Sequence, residues 1–273
     1  MSEASRAGSL HVVCFRPGAV TLLRASSNIE FMIHVEQLTK SFGSVQALND
    51  VSFTVNDGRI TGLLGHNGAG KSTTLRILST VIRANSGRAS VDGHDCATDP
   101  LSVRRRLGVL PHSSGLYQQL TGRENILYYG RLHGLSKDEL PRACEGMIER
   151  LGMSAFVDRR AKGYSQGERL KVALARTLIH SPRTVILDEP TNGLDVSAVR
   201  MLRELVRELK VSGCCVLFSS HVMQEVAALC DDIIIISRGR VAIRGTPDEI
   251  LASLGTTDLE EAFVRAAAGE VNA

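Results

Sequence analysis

The chain has 273 residues, 43% of them hydrophobic, and a formal net charge of +3, which suits one large domain or a domain with a subdomain. This charge is too close to neutral to indicate a nucleic-acid partner, and the sequence holds no apolar run of about 18 residues that could span a bilayer. Its six cysteines include no C-x-x-C pair, which favours reduced thiols acting as small hydrophobic residues over a zinc site.

The first 31 residues show no clear hydrophobic period, and their apolar stretches are too short for the core of a signal peptide. The first well-patterned segment begins at Met32. We therefore expect residues 1–31 to be a dispensable or disordered extension, or the result of a start codon assigned too early.

From residue 32 onward, short β-rich runs alternate with helical periods, which is typical of an α/β domain. The turn residues Asn56-Asp57-Gly58 are expected to close a β-hairpin between strands at 51–55 and 59–64. Other expected strands lie at 33–35, 107–110, 185–187, 214–219, 232–237 and 240–243. Expected helices lie at 72–81, 123–133, 137–151, 170–178, 197–210, 222–230 and 258–268.

Two parts of this pattern indicate the architecture. The run 185–187 is apolar without alternation, as a buried strand of a parallel sheet requires. Residues 115–164 carry helical periods and no strand signal, which predicts a helical insertion between two halves of an α/β core.

A phosphate-loop pattern, G-x-x-x-x-G-K-[ST], follows the expected strand that ends at residue 64. It is matched by Gly65, His66, Asn67, Gly68, Ala69, Gly70, Lys71 and Ser72, and Thr73 is the next residue of the expected nucleotide site. Backbone N–H groups freed by the glycines can converge on phosphate oxygens at the start of a helix. Lys71 would reach the β- and γ-phosphates, and the Ser72 hydroxyl would bind Mg²⁺. A chance Gly-rich turn is the alternative, which the flanking strand and helix disfavour.

The expected strand 185–187 ends in two carboxylates, Asp188 and Glu189. Asp188 could hold Mg²⁺ through water, and Glu189 could then polarise the attacking water as a general base. The alternative is a solvated acidic turn before Pro190, and a phosphate loop upstream in the same chain weighs against it.

In their order and spacing, these motifs resemble those of the ATP-binding subunits of ABC transporters over residues 32 to about 268. Four further segments carry the resemblance: Tyr164-Ser165-Gln166-Gly167-Glu168 at the family signature, Asn192-Gly193-Leu194-Asp195 at the D-loop, Ser219-Ser220-His221 at the switch-histidine loop, and Phe42 at the aromatic that stacks on adenine. The resemblance implies an α/β P-loop NTPase core with a mainly parallel sheet, an N-terminal antiparallel β subdomain and an inserted α-helical signature subdomain. It also implies an ATP-binding domain at 32–255, with its helical subdomain at about 115–165, and a short C-terminal helix and tail at 256–273.

The same resemblance implies a role for each of these side chains. His221 would hold the attacking water at the γ-phosphate, and Phe42 would stack on adenine. Ser165 and Gly167 would face the γ-phosphate of ATP bound to the opposite subunit, with Asp195 contributing to the nucleotide site. One chain would then carry two half-sites and would work as a homodimer. Independently of any family, Ser165-x-x-Glu168 is a capping box, which predicts the start of a helix.

Two positions depart from the family pattern. His112 follows Pro111 where the Q-loop usually carries Gln, and imidazole is a poorer partner than an amide oxygen for hard Mg²⁺. Direct coordination of the metal by His112 is therefore not favoured, and contact through water or with phosphate would give the ATPase a pH dependence near neutrality. Glu168 replaces the usual Gln, which suits a helix N-terminus but brings a negative charge near a phosphate.

The segments GLYQQLTGRENILYYGRLHG, SSHVMQEVAALCD and DLEEAFVRAA most resemble the NatA-like, sodium-extruding group of ABC exporters. This implies an ATPase, peripheral on the cytoplasmic face of the membrane, that drives export through a separate integral membrane permease. The cargo would be Na⁺, or a drug, lipid or polysaccharide as in other members of the group. Leu116 and Tyr117 are candidate docking contacts for the permease, and packing beneath the helical insertion is their alternative role.

Two other functions fit the sequence less well. A soluble ABC ATPase acting on ribosomes or DNA is disfavoured by the single cassette, the absence of heptads and the small basic excess. A regulatory cassette that binds ATP but hydrolyses it poorly is disfavoured because Lys71, Asp188, Glu189 and His221 are all present.

Overall fold

The computed structural model describes residues 31–113 and 115–269. The strands are β1 (Phe31–Phe42), β2 (Val45–Asn56), β3 (Ile60–Leu64), β4 (Ser86–Val91), β5 (His94–Asp95), β6 (Leu107–Leu110), β7 (Thr184–Asp188), β8 (Cys215–Ser220), β9 (Asp232–Ser237) and β10 (Arg240–Gly245). The helices are α1 (Lys71–Leu78), α2 (Pro100–Arg106), α3 (Gly122–Leu132), α4 (Glu139–Arg150), α5 (Gln166–Leu178), α6 (Val196–Val211), α7 (Met223–Leu229), α8 (Pro247–Leu254) and α9 (Leu259–Ala268). The extension predicted at 1–31 lies, apart from its last residue, outside this range.

The strands form two sheets. An antiparallel sheet has the order β2-β1-β4-β5, and a larger sheet has the order β10-β9-β3-β8-β7-β6. In the larger sheet β9, β3, β8, β7 and β6 run parallel, and β10 alone pairs antiparallel to its neighbour β9. The predicted fold class, α/β with a mainly parallel sheet and an N-terminal antiparallel sheet, is therefore confirmed.

The predicted hairpin between strands at 51–55 and 59–64 is wrong. β2 pairs with β1 in the antiparallel sheet, with Phe53 opposite Val35, whereas β3 pairs with β8 and β9 in the other sheet. The chain does turn at Asp57-Gly58, but the turn carries it from one sheet to the other. A turn motif indicates where the chain changes direction, and burial decides which partner the next strand finds. All five residues of β3 are buried, which suits a central parallel strand.

The central strands β3, β8 and β7 of the larger sheet are buried on both faces, and their alternate residues belong to two hydrophobic cores. Leu187 belongs to the core that contains Ile126 of the inserted helix α3. Its neighbour Ile186 belongs to the second core, with Phe53 of the antiparallel sheet and Leu75 of α1. The helical insertion predicted at 115–164 contains α3 and α4, and its core is continuous with one face of the sheet.

Most predicted elements agree with the structure to within a few residues. Strands β1 and β2 are the main exceptions, because β1 runs over Phe31–Phe42 and β2 over Val45–Asn56, where strands at 33–35 and 51–55 were expected. Helix α1 ends at Leu78 rather than at residue 81, and Thr80 adopts a left-handed conformation with φ of +61°. Strands β4 and β5 and helices α2 and α8 were not predicted. Within the described residues, no helix is both long and apolar enough to cross a membrane.

Candidate functional site

The phosphate loop connects the end of β3 to the start of α1. Gly70 forms the N-terminal cap of α1 with φ of +112°, and a Cβ added there would lie 2.8 Å from the Ala47 carbonyl oxygen. Only glycine fits both the conformation and the space. A Cβ on Gly65 would lie 2.5 Å from the Ile236 carbonyl oxygen, so the first glycine of the motif is needed for close backbone packing.

Lys71 lies inside this loop and is buried, with 5% of its surface exposed. Its Nζ donates to the Gly65 carbonyl oxygen at 2.6 Å and lies 3.4 Å from the His66 carbonyl oxygen. The loop therefore folds around its own lysine, and the exposed Ser72 stands beside it in the first turn of α1. A buried ammonium at a helix N-terminus favours an anionic ligand.

The two carboxylates lie where β7 ends beside β8. Ser219 pairs with Asp188 across the sheet, and its hydroxyl donates to Asp188 Oδ1 at 2.8 Å. The Glu189 N–H is bound by Ser219 as well, 2.9 Å from its Oγ. Glu189 has φ of +47°, an uncommon conformation for a residue with a side chain. Ser219 thus fixes both carboxylate-bearing residues. This role was not predicted from the sequence, although the position of Ser219 in the switch-histidine motif could have indicated it.

The Glu189 carboxylate lies among three nitrogen-bearing side chains. Lys71 Nζ is 3.5 Å from Oε1, while His221 Nδ1 and His112 Nδ1 are 3.5 Å and 3.6 Å from Oε2. The Glu189 side chain is 13% exposed, whereas about half of each imidazole reaches solvent. This cluster, Lys71-His112-Glu189-His221, combines a proton acceptor with two side chains that can hold or exchange a proton. The contact between His112 and Glu189 was not predicted from the sequence.

The signature segment lies at the start of α5. Ser165 caps this helix, the Glu168 N–H donates to Ser165 Oγ at 3.2 Å, and the Ser165 N–H donates to Glu168 Oε2 at 2.9 Å. The predicted capping box is therefore confirmed. Arg159 forms an ion pair with Glu168, so this carboxylate has both a cation and a backbone N–H as partners.

The D-loop lies against the signature segment. A Cβ on Gly193 would lie 3.4 Å from the Gln166 side chain, and one on Gly167 would lie 3.8 Å from Ala198. Asp195 caps α6, and hydrogen bonds from the Ser197 hydroxyl and the Ala198 N–H lower the pKa of its carboxyl group. At the start of the D-loop, the Asn192 N–H donates to the Glu189 carbonyl oxygen at 3.2 Å, so the D-loop joins the signature segment to the residue that carries the candidate base.

The remaining predicted residues are more exposed. Phe42 ends β1 with 49% of its surface exposed, and Lys40 Nζ lies 5.2 Å from its ring centre. Leu116 is half-buried and packs against the core, while Tyr117 is 47% exposed and contacts the Tyr128 ring. Of the two docking candidates, Leu116 thus takes the packing role and Tyr117 presents its ring at the surface.

A family model described as "ABC transporter" matches residues 48–192, a range that contains the phosphate loop, the signature segment and both carboxylates. The chain belongs to the ABC transporter family, as an ATP-binding subunit. Members of this family hydrolyse ATP, so this ABC subunit is an ATPase.

Several relatives of this ABC subunit are ATP-binding subunits of transporters. It is 42% identical to the ABC transporter ATP-binding protein NatA of Bacillus subtilis (strain 168), over 81% of this chain and 90% of that protein. It is 37% identical to the daunorubicin/doxorubicin resistance ATP-binding protein DrrA of Streptomyces peucetius, over 83% of this chain and 69% of that protein. A solved structure described as an ATP-binding subunit of an ABC transporter superposes with a TM-score of 0.80 and 30% identity, covering 86% of this chain and 99% of the other.

We predict that Glu168→Ala lowers the free energy of unfolding by about 0.5–2 kcal/mol, because it removes one arm of the capping box. Glu168→Gln keeps an oxygen that accepts from the Ser165 N–H and should lose less than about 0.5 kcal/mol. Urea denaturation of both variants measures the difference, with Glu204→Ala, which removes an exposed ion pair with Arg200, as the control. Equal losses for the Ala and Gln variants would show that the capping oxygen is unimportant.

Proposed function

We propose that this ATP-binding subunit hydrolyses Mg²⁺-ATP at sites shared by two copies of the chain and so drives export through a separate membrane permease. The main support for this proposal is the position of Glu189, whose carboxylate lies between Lys71 of the phosphate loop and His221 of the switch loop. A base held beside a phosphate-binding lysine suits attack of water on a γ-phosphate.

The residues at the edge of the sheet fit Mg²⁺. A hydroxyl from Ser72 and a carboxylate from Asp188 are hard oxygen donors, as this ion prefers. Ser219 binds Asp188 Oδ1 and so fixes the carboxylate, leaving the second oxygen for a magnesium-bound water. When bound, the ion would neutralise charge on the β- and γ-phosphates. Ser72 and Asp188 would hold it, whereas His112, whose Nδ1 lies at Glu189, would not.

The remaining roles follow from the chemistry of each side chain. Lys71 and the backbone N–H groups of residues 65–73 would bind the phosphates. Glu189 would accept a proton from the attacking water, and His221 would orient that water at the γ-phosphate. Phe42, half exposed at the end of β1, would stack on the adenine ring.

The sharing of the site between two copies is supported by the two separate groups of site residues. Ser165 and Gly167 lie at the N-terminus of α5, beside the D-loop, whereas the Glu189 cluster lies where β3, β6, β7 and β8 end. The N-terminus of α5 is suited to a phosphate. A second copy would bring this helix start to the γ-phosphate held by the first, so each site would need both chains.

We predict that Glu189→Gln lowers kcat for ATP hydrolysis by about 10²–10⁴-fold, because the amide cannot accept the proton from water. The variant should form a dimer in the presence of Mg²⁺-ATP, which size-exclusion chromatography measures. The control is Lys71→Ala combined with Glu189→Gln, which should stay monomeric because ATP is not held. Unchanged turnover would remove Glu189 as the base, and a monomer with ATP bound would contradict the shared site.

His112 is proposed to act on the base. Its Nδ1 lies 3.6 Å from Glu189 Oε2, so a protonated imidazole would pair with the carboxylate and weaken it as a proton acceptor. Imidazole ordinarily changes charge near neutral pH, whereas the amide of glutamine does not.

We predict that His112→Gln changes the pH dependence of kcat, because it removes an imidazole whose Nδ1 lies 3.6 Å from the Glu189 carboxylate. The pH–rate profiles of the two proteins at saturating ATP measure this change. His221 remains in both proteins and shares Glu189 Oε2 with His112, so the comparison measures the loss of His112 together with any change in its coupling to His221. Superimposable profiles would exclude His112 as the source of the pH dependence.

The transport partner is proposed to be an integral membrane permease on a separate chain, with this ATPase bound peripherally on the cytoplasmic face. The NatA and DrrA relatives, both ATP-binding proteins, support this proposal. We propose that the chain divides into an extension at 1–31, an ATP-binding domain at 32–255 and a C-terminal helix and tail at 256–273. Within the domain, the helical subdomain at about 115–165 is the proposed docking site for the permease. Na⁺ export is favoured by the NatA-like resemblance, and drug export is supported by the similarity to DrrA.

We predict that a membrane protein of about six helices, encoded next to this chain, co-purifies with it in detergent. Tyr117→Ala should weaken this association, because it removes an exposed ring from the helical insertion, whereas Val211→Ala, also exposed but at the end of α6, should not. Vesicles containing the complex then distinguish the cargo by ATP-dependent movement of ²²Na⁺ or of doxorubicin. Failure of the chain to bind any such permease would contradict the transport role.

A further inference from the structure

Helix α9 packs directly against the phosphate loop. The ring of Phe263 meets the ring of His66 edge to face, with 4.7 Å between the ring centres. Phe263 is itself buried, with 6% of its surface exposed, whereas His66 is exposed in the loop. The contact therefore joins a rigid core residue to the second residue of the phosphate-binding motif.

His66 connects this contact to the reactive lysine. Its carbonyl oxygen accepts from the Ala69 N–H at 3.1 Å and lies 3.4 Å from Lys71 Nζ. At Gly68 the loop is open, since a Cβ added there would meet no atom within 4 Å. Movement of the His66 backbone would consequently change both the curvature of the loop and the position of Lys71.

The same helix also reaches the switch segment. Gln224, three residues after His221, donates from Nε2 to Glu260 Oε1 in the first turn of α9. Residues from the loop, the switch segment and α9 line one cleft of about 430 Å³. One helix is thus in contact with both segments that border the Glu189 cluster.

Helix α9 is well anchored for such a role. Its Asp258 cap accepts from the Glu260 N–H at 3.0 Å, and Arg265 Nη1 donates to the Leu254 carbonyl oxygen at 2.8 Å. The Ser237 hydroxyl, at the end of β9, donates to the Ala267 carbonyl oxygen at 3.1 Å. The helix is therefore tied to both α8 and the central sheet.

We propose that α9 is a positioning element of the ATP site, in which Phe263 fixes the phosphate loop through His66 and Glu260 fixes the switch segment through Gln224. Neither residue touches the reacting atoms. The inference rests on the proposed roles of the phosphate loop in binding ATP and of His221 in orienting the water. It assigns separate effects to the two residues, because the loop holds the substrate in the ground state and the switch segment acts in the transition state.

The test compares full-length variants for equilibrium binding of Mg²⁺-ATP, kcat and the unfolding midpoint. Phe263→Ala should raise the Kd for ATP by about fivefold to tenfold with a smaller change in kcat, and Phe263→Leu should fall between it and wild type. Glu260→Ala should lower kcat by about threefold with Kd unchanged, and Glu260→Gln, which keeps an acceptor oxygen, should recover most of it. Leu259→Ala, which shortens a core-packed side chain on the same helix, is the control: it should lower the unfolding midpoint and leave both Kd and kcat within about twofold of wild type.

A double-mutant cycle separates positioning from general destabilisation. His66→Ala should raise the Kd for ATP as Phe263→Ala does, and the double variant should be no weaker than the poorer single variant, because both remove the same contact. The inference is overturned if Phe263→Ala and Phe263→Leu bind ATP like wild type, if the two effects add, or if Leu259→Ala raises Kd equally. Absence of ATP binding by the wild-type chain would instead contradict the proposed function, so the two failures are distinguishable.

Discussion

The site depends on the parallel arrangement of four adjacent strands. β3, β8, β7 and β6 are neighbours in the sheet and end at the same edge, where parallel strands direct their following loops. β3 leads to the phosphate loop, β7 to Asp188 and Glu189, β8 to His221, and β6 to His112. The contacts of Lys71 and both imidazoles with the Glu189 carboxylate follow from this shared edge. These residues are far apart in the sequence, so no local feature of the chain could bring them together.

The helical insertion packs on a face of the sheet rather than at this edge. Its helices share a hydrophobic core with one face of the sheet, which fixes where α5 begins. The Ser165 capping box then sets the direction in which the helix presents its N–H groups. The D-loop packs against Gln166, and its Asn192 N–H donates to the Glu189 carbonyl oxygen at 3.2 Å, so it connects the signature segment with the Glu189 cluster. The position of Ser165 and Gly167 at the start of α5, rather than within that cluster, is the basis for the proposed sharing of each ATP site between two copies.

Local patterns were sufficient for most elements and for the identity of the chemical groups. The G-x-x-x-x-G-K-[ST] spacing, the apolar run before Asp188 and the Ser165-x-x-Glu168 pair each depend on neighbours within a few residues. The pairing of the β-strands was harder to predict from the sequence. The turn at Asp57-Gly58 was recognised, but the following strand joined the other sheet, because burial of all five residues of β3 outweighed the local hairpin signal.

The amino-acid sequence by itself determined the phosphate loop, the paired carboxylates, the helix caps and the alternation of strands and helices, since each depends on residue chemistry at short range. Only the tertiary structure decided that His112 lies against Glu189 rather than at Asp188, that Ser219 holds both carboxylate residues, and that Phe263 packs on His66. These contacts join residues that are 30 or more positions apart, as with Asp188 and Ser219. Such distances are closed by strand order and core packing, which the spacing of a motif does not encode.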